Sequence, residues 1–187
     1  LREYRSGLAE GVKYGVILDA EFFADLEQNV DGLLARDPVV LREIVAQSCA
    51  LKAQVVSKDE REETGLRAVL NYGHTFCHAF ETLTNYNTLL HGEAVSIGMM
   101  CAARLAERLG RIDGELVDRQ YKLLTALGLP IDVPEVDHEE VLRVMARDKK
   151  VEHGKLRFVL PSKLGHVELV GNVAPDATGA TSAGVVV

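Results

Sequence analysis

Four polar side chains recur at helical spacing in the middle of an apolar stretch: Arg67, Asn71, His74 and His78, at steps of four, three and four residues. That spacing predicts one helix over about 67–84 carrying a single polar stripe beside Leu, Val and Phe. A polar stripe on an apolar helix is costly unless its groups are satisfied. The chain must therefore build a helical fold around a polar site. His74 and His78 lie one helical turn apart and leave the same face. Two neutral imidazoles so placed can grip one divalent cation, and His91, thirteen residues past His78, can supply a third ligand. The same spacing also serves a plain hydrogen-bonded pair. A zincin protease is disfavoured, because Thr75 stands where that motif needs a glutamate. His138, His153 and His166 sit in polar or turn-like contexts and are expected to be solvated.

Helical signals run through most of the chain. Residues 1 to about 34 read as helical, with Glu10 and Lys13 three apart on one face, an ordinary surface ion pair on that spacing alone. Asp37-Pro38 starts a helix to about Ser57, with Leu41, Ile44, Val45, Ser48, Leu51, Lys52 and Val55 at helical spacing. Lys52 thus lies on or beside the inward face. The carboxylates between Asp59 and Gly65 are most simply solvated. Past His91 comes a tightly packed small-residue helix, from about Ala94 to Leu109, with methionines as core fillers. Helices over about 114–127 and 138–147 follow, the second capped by Asp137. A β-hairpin over about 156–170 turns at Gly165. The reading is a mainly α, multihelical fold with one small hairpin: a domain over 1–172 and an irregular tail over 173–187.

Composition excludes several classes. The net charge is −7, and no Lys/Arg run is interleaved with aromatics, which argues against a nucleic-acid partner. No apolar run approaches the length of a membrane span. Cys49, Cys77 and Cys101 are dispersed without CxxC spacing, as befits reduced thiols in a cytoplasm. No Gly-rich phosphate loop is visible, so no dinucleotide-binding module is expected within the chain. From its two ends, the chain is expected to be a piece of a longer polypeptide.

The motifs carry a resemblance. Gly7-Leu8-Ala9-Glu10-Gly11-Val12-Lys13, Lys52-Ala53-Gln54-Val55-Val56, the run from Leu66 through Asn71-Tyr72-Gly73-His74-Thr75-Phe76-Cys77-His78 to Glu81, His91-Gly92-Glu93-Ala94-Val95, and Arg147-Asp148-Lys149-Lys150-Val151 together resemble the C-terminal domain of the 3-dehydroquinate synthase family. The likeness spans about residues 1–172. It implies a helical C-terminal domain of the dehydroquinate-synthase-like fold, whose NAD-binding partner domain lies N-terminal to Leu1. It also implies a cytoplasmic lyase of the shikimate pathway of aromatic amino acid biosynthesis. That enzyme turns 3-deoxy-arabino-heptulosonate 7-phosphate into 3-dehydroquinate and phosphate, with bound NAD and Zn2+ or Co2+, and is a homodimer in full-length form.

Carried over by motif, the resemblance makes Glu10, His74 and His91 the metal ligands. His78 becomes a catalytic residue rather than a ligand. Lys52 and Arg67 pair the substrate carboxylate, and Asn71, His78 and Lys149 or Lys150 hold its phosphate. Lys13 reaches the ring hydroxyls, and Glu63 (or its neighbour Glu62) is a proton acceptor. Cys77 stands where the family usually has glycine, which implies a packing change. Three other readings share parts of this pattern. One is a related sugar-phosphate cyclase; Asn71 and His78, both kept here, speak against it. Another is a metal-dependent polyol dehydrogenase, which needs no Lys52, Arg67 and Lys149 set. The third is a non-enzymatic helical interaction module.

Overall fold

A computed structural model describes residues 1–61, 65–147, 157–171 and 173. Among the described residues, eight α-helices run in the order α1 (Arg2–Leu18), α2 (Ala20–Gln28), α3 (Val30–Ala35), α4 (Pro38–Lys58), α5 (His74–Leu83), α6 (His91–Arg108), α7 (Gly114–Ala126) and α8 (His138–Arg147). A 3-10 turn (Leu66–Asn71) precedes α5, and strands β1 (Arg157–Lys163) and β2 (His166–Gly171) close an antiparallel hairpin. The fold is mainly α with one small hairpin, as the periodicity predicts.

Local signals set the element boundaries. Asp37 Oδ1 accepts the Val39 and Val40 N–H groups at 2.8 and 3.1 Å, and Pro38 occupies the first helical position of α4. Asp19 does the same for α2, accepting from Glu21 and Phe22 at 2.9 and 3.0 Å. The helical stretch read over residues 1–34 is therefore three helices. Asp19 adopts an extended backbone that ends α1, and Asn29 separates α2 from α3.

The core is organised about α6, in which every residue from Gly92 to Ala103 is buried. Met99 and Met100 are fully enclosed, as gap-filling methionines should be. Phe76 of α5 stacks on Phe158 of β1 with ring centroids 5.4 Å apart. At the hairpin turn, the Gly165 N–H donates to Val16 O at 2.9 Å and pins β1 and β2 to α1. In the hairpin, Phe158 pairs with Val170 and Val159 with Leu169.

Two close approaches decide where α1, α5 and α6 meet. Gly92 lies directly on α1: its N–H donates to Ser6 Oγ at 3.0 Å, and a Cβ there would collide with the Ser6 carbonyl. Gly98 meets the Gly73 carbonyl just as closely, and Gly73 itself takes a left-handed φ of +76°. That left-handed residue also breaks the helix expected over 67–84. Arg67 and Asn71 stand on the 3-10 turn and His74 and His78 on α5, so the four do not form one stripe. Tyr72, at the break, is fully buried, and its hydroxyl donates to Gln120 Oε1 at 2.8 Å, with Met99 O 3.1 Å away. Periodicity could not foresee that a buried tyrosine anchor would outweigh a continuous ladder.

Other expectations need correction. Asp59 is buried rather than solvated, and its Oδ2 accepts the Arg67 N–H at 3.0 Å. His138 is half-buried with an enclosed Nδ1, whereas His166 is exposed and bonds Ser162 at 2.8 Å. His153 and the tail over 174–187 lie outside the described residues. The Ser6–Gly92 contact makes a direct prediction. Gly92→Ala should lower unfolding stability by about 3 kcal/mol in urea titrations, since backbone on both sides blocks relaxation.

Candidate metal centre

Ligand atoms of Glu10, His74 and His91 all lie within 4.8 Å of one another. Glu10 comes from the middle of α1, whereas His74 and His91 are the first residues of α5 and α6. The glycine contacts at Gly92 and Gly73 are what bring these three positions together. The imidazole centroids of His74 and His91 stand 5.4 Å apart at 66°.

Hydrogen bonds settle how each ring faces. His74 Nδ1 lies 3.1 Å from the Tyr72 carbonyl, which can only accept, so Nδ1 carries the proton and Nε2 keeps its lone pair. His91 Nδ1 lies 3.0 Å from Glu81 Oε1 and is tied in the same sense. Two imidazoles with Nδ1 committed and a carboxylate nearby are the donor set that a divalent cation such as Zn2+ takes. The residues present fit the ion.

Charge at the site is balanced by a pair of which Lys13 is buried and Glu10 half-buried. Lys13 is only 3% exposed, and its ammonium spans both Glu10 oxygens at 2.9 and 2.8 Å, while Tyr14 donates to the same carboxylate at 3.3 Å. The pair read as an ordinary surface contact is thus an internal one. Burial alone would raise the Glu10 carboxyl, but the Lys13 charge and hydrogen bond, with help from both histidines, bring it below its ordinary value. Burial lowers Lys13, against the pull of Glu10. His74 is pushed down to about 4, by burial first and then by the Lys13 charge, so it is neutral and able to bind a cation at physiological pH.

A second constellation, Cys77, Glu81 and His91, also falls within 4.8 Å. Burial and the Glu81 carboxylate push the Cys77 thiol far up, which keeps it protonated at neutral pH in the metal-free protein. His78 is absent from both groups. It stands edge-on to His74 at 5.7 Å and lines a separate cavity of about 480 Å³ with Thr75, Thr82, Tyr86 and Met145. Spacing alone paired His74 with His78; the structure pairs His74 with Glu10 and His91 instead.

The substrate-binding candidates surround this centre unevenly. Lys52 is exposed near the end of α4, and its charge still depresses Lys13. Arg67 is half-buried, with Nη1 donating to Glu60 O at 3.4 Å. Asn71 lines a small cavity of about 160 Å³ with Thr75 and Arg157. Glu62, Glu63, Lys149 and Lys150 lie outside the described residues. Sequence reasoning left Tyr14 and Glu81 without roles. Tyr14 follows Glu10 by four, and Glu81 follows His74 by seven, so helical periodicity marked both faces. A cleft of about 560 Å³ between the α6–α7 link and the hairpin turn holds none of these residues.

The fold and the site define a helical domain that brings three side chains able to hold a cation to the junction of three helices. The chain belongs to the 3-dehydroquinate synthase C-terminal family, whose model matches residues 7–151. It is 52% identical over 175 residues to the 3-dehydroquinate synthase of Rhodopirellula baltica, covering 94% of this chain and 47% of that protein. Against the 3-dehydroquinate synthase of Geobacter metallireducens the identity is 52% over 169 residues, covering 90% and 47%. The chain therefore spans about half the length of the curated relatives it matches.

Among solved structures it resembles a 2-epi-5-epi-valiolone synthase from Streptomyces hygroscopicus with NAD+ and Zn2+ bound (TM-score 0.84, 26% identity, 94% of this chain and 49% of that one). It also resembles a 2-deoxy-scyllo-inosose synthase complexed with carbaglucose-6-phosphate, NAD+ and Co2+ (TM-score 0.76, 27% identity, 91% and 49%).

The depressed His74 makes a pH prediction for the metal-free protein. Its pKa of about 4 lies below the ordinary 6.5, so unfolding takes up a proton between those values. Stability should therefore fall as pH drops from 6.5 to 4. A His74→Asn variant should lose that part of the slope in urea titrations across the range.

Proposed function

We propose that this chain is the metal- and substrate-binding half of a 3-dehydroquinate synthase. It would act on 3-deoxy-arabino-heptulosonate 7-phosphate to give 3-dehydroquinate and phosphate, as an NAD-dependent carbon–oxygen lyase of the shikimate pathway. The observation that carries the reading is the convergence of Glu10, His74 and His91, each ring oriented through Nδ1, within a chain half-identical to named 3-dehydroquinate synthases. Zn2+ or Co2+ held there supplies a Lewis acid for polarising substrate oxygens. The NAD that serves as hydride acceptor would be bound by residues beyond this chain.

The chain's own residues have distinct tasks. Lys13, fixed on Glu10, presents an ammonium beside the cation centre to the ring hydroxyls. Arg67 offers a planar fork and Lys52 a point charge for the substrate carboxylate. Asn71, His78 and Lys149 would hold the phosphate, and His78 with Glu63 would accept a proton during its loss. His74 and His91 open α5 and α6, so two helix N-termini add positive potential that suits an anionic substrate. The related sugar-phosphate cyclase reading is less well supported, because the 52% relatives are dehydroquinate synthases whereas the other cyclases match at 26 and 27%.

The full-length enzyme is read as a cytoplasmic homodimer by family likeness; among the described residues, no helix is long and apolar enough to cross a membrane. The three cysteines are free thiols. The isolated chain should show no turnover with NAD+ and substrate. Elemental analysis of the natively purified protein should find about one zinc or cobalt per chain. A His74→Ala/His91→Ala double variant should hold none, and a folded wild type without metal would remove the basis of the reading. In the full-length enzyme, Lys52→Ala should lower kcat/KM for the heptulosonate phosphate by on the order of 100-fold, the cost of a charge-assisted contact.

A further inference from the structure

We infer that Glu81 is a positioning residue for the cation centre, holding His91 in the tautomer and direction that present Nε2 to the ion shared with Glu10 and His74. This rests on the metal-binding reading of that site. Three observations support it.

The first is geometric. Glu81 Oε1 lies 3.0 Å from His91 Nδ1, across the gap between the last turn of α5 and the first residue of α6. A carboxylate there can only accept, so it selects the Nδ1–H tautomer. The second is the placement of Glu81 itself. Its side chain is 11% exposed, against 54% for His91, and among the described residues His91 is its only ion-pair partner. A buried carboxylate is costly, and the C-terminal turn of a helix, where the macrodipole is negative, makes it costlier still. Packing alone would put an apolar side chain at that position. The third lies in the surroundings: the enclosed Cys77 thiol stands 3.9 Å from His91 Nδ1, so that nitrogen is shut in by protein groups. Glu81 thus supports the ligand His91 from behind, and Cys77 fills the space beside it.

His74 needs no such partner from a side chain, because the Tyr72 carbonyl at the helix break does the same work. His91 sits at a helix start where, among the described residues, no backbone carbonyl accepts from its ring, and it is the more exposed of the two. Without Glu81 it would be free to turn.

The test compares zinc affinity of wild type and Glu81→Gln by competition with a chromophoric chelator. Support for Glu81 would be a 10- to 100-fold weaker affinity in the variant, the usual cost of losing a partner to a ligating imidazole, together with an altered Co2+ absorption spectrum. A Cys77→Ser control should stay within a few-fold of wild type. Equal affinity and an unchanged Co2+ spectrum in a folded Glu81→Gln protein would overturn the inference while leaving the three-ligand site intact. A folded wild type that binds no zinc would instead overturn the metal-binding reading, and this inference with it. Should Glu81→Gln fail to fold, the ring nitrogen shifts of His91 in the metal-free wild type decide the matter. A proton on Nδ1 supports the role, and a proton on Nε2 removes it.

Discussion

The whole site depends on backbone packing against backbone at two glycines. Gly92 touches α1 at Ser6, and Gly98 touches the Gly73 carbonyl, with no room for a Cβ at either contact. These approaches set the distances between α1, α5 and α6 more tightly than side-chain packing could, because backbone cannot change rotamer. Arg2 adds a fork to both Glu93 oxygens at 2.7 and 2.6 Å, and Glu93 in turn accepts the Leu90 N–H at 2.8 Å. The first turn of α6 is thereby held on α1 from two directions. His91 occupies that turn, and Glu10 lies one helical turn beyond Ser6 along α1.

Electrostatics then works on a frame already fixed. The site gathers a carboxylate, a buried ammonium and imidazoles within a few ångströms, a cluster that burial would ordinarily penalise. Lys13 and Glu10 answer each other's charge, and His74 stays neutral because both burial and Lys13 oppose its proton. The result is a set of groups whose ionisation at neutral pH suits a divalent cation. Each group owes that state to neighbours on another turn of its own helix or on another helix.

Much of this was legible in the residues. The cap at Asp37-Pro38, the small-residue helix α6 and the hairpin at Gly165 appear with nearly the expected bounds. Spacing alone, however, paired His74 with His78, offered His91 only as a third ligand and did not point to Glu10. His74 and His78 do share a face of α5, but the second imidazole at the cation centre comes from His91 and the carboxylate from Glu10, 64 residues before His74 in the chain. No local period reports a contact of that range. The family likeness supplied it, because motif order carries three-dimensional information that spacing does not. The break at Tyr72-Gly73 was missed for a related reason: its cause is a tertiary anchor in Gln120 and Met99, not a local propensity.

The proposed cation-holding residues and the proposed substrate-holding ones occupy ground of different firmness. Glu10, His74 and His91 sit on helices packed into the core, while Lys52 lies on an exposed face and Arg67 and Asn71 ride on a half-buried 3-10 turn. On the proposed reading, mutation would change which sugar phosphate is held without touching the residues that hold the cation. Such a division lets one scaffold drift among substrates over evolutionary time. The resemblance to synthases of valiolone and inosose type, at about a quarter identity with the helical frame intact, is the trace such drift would leave.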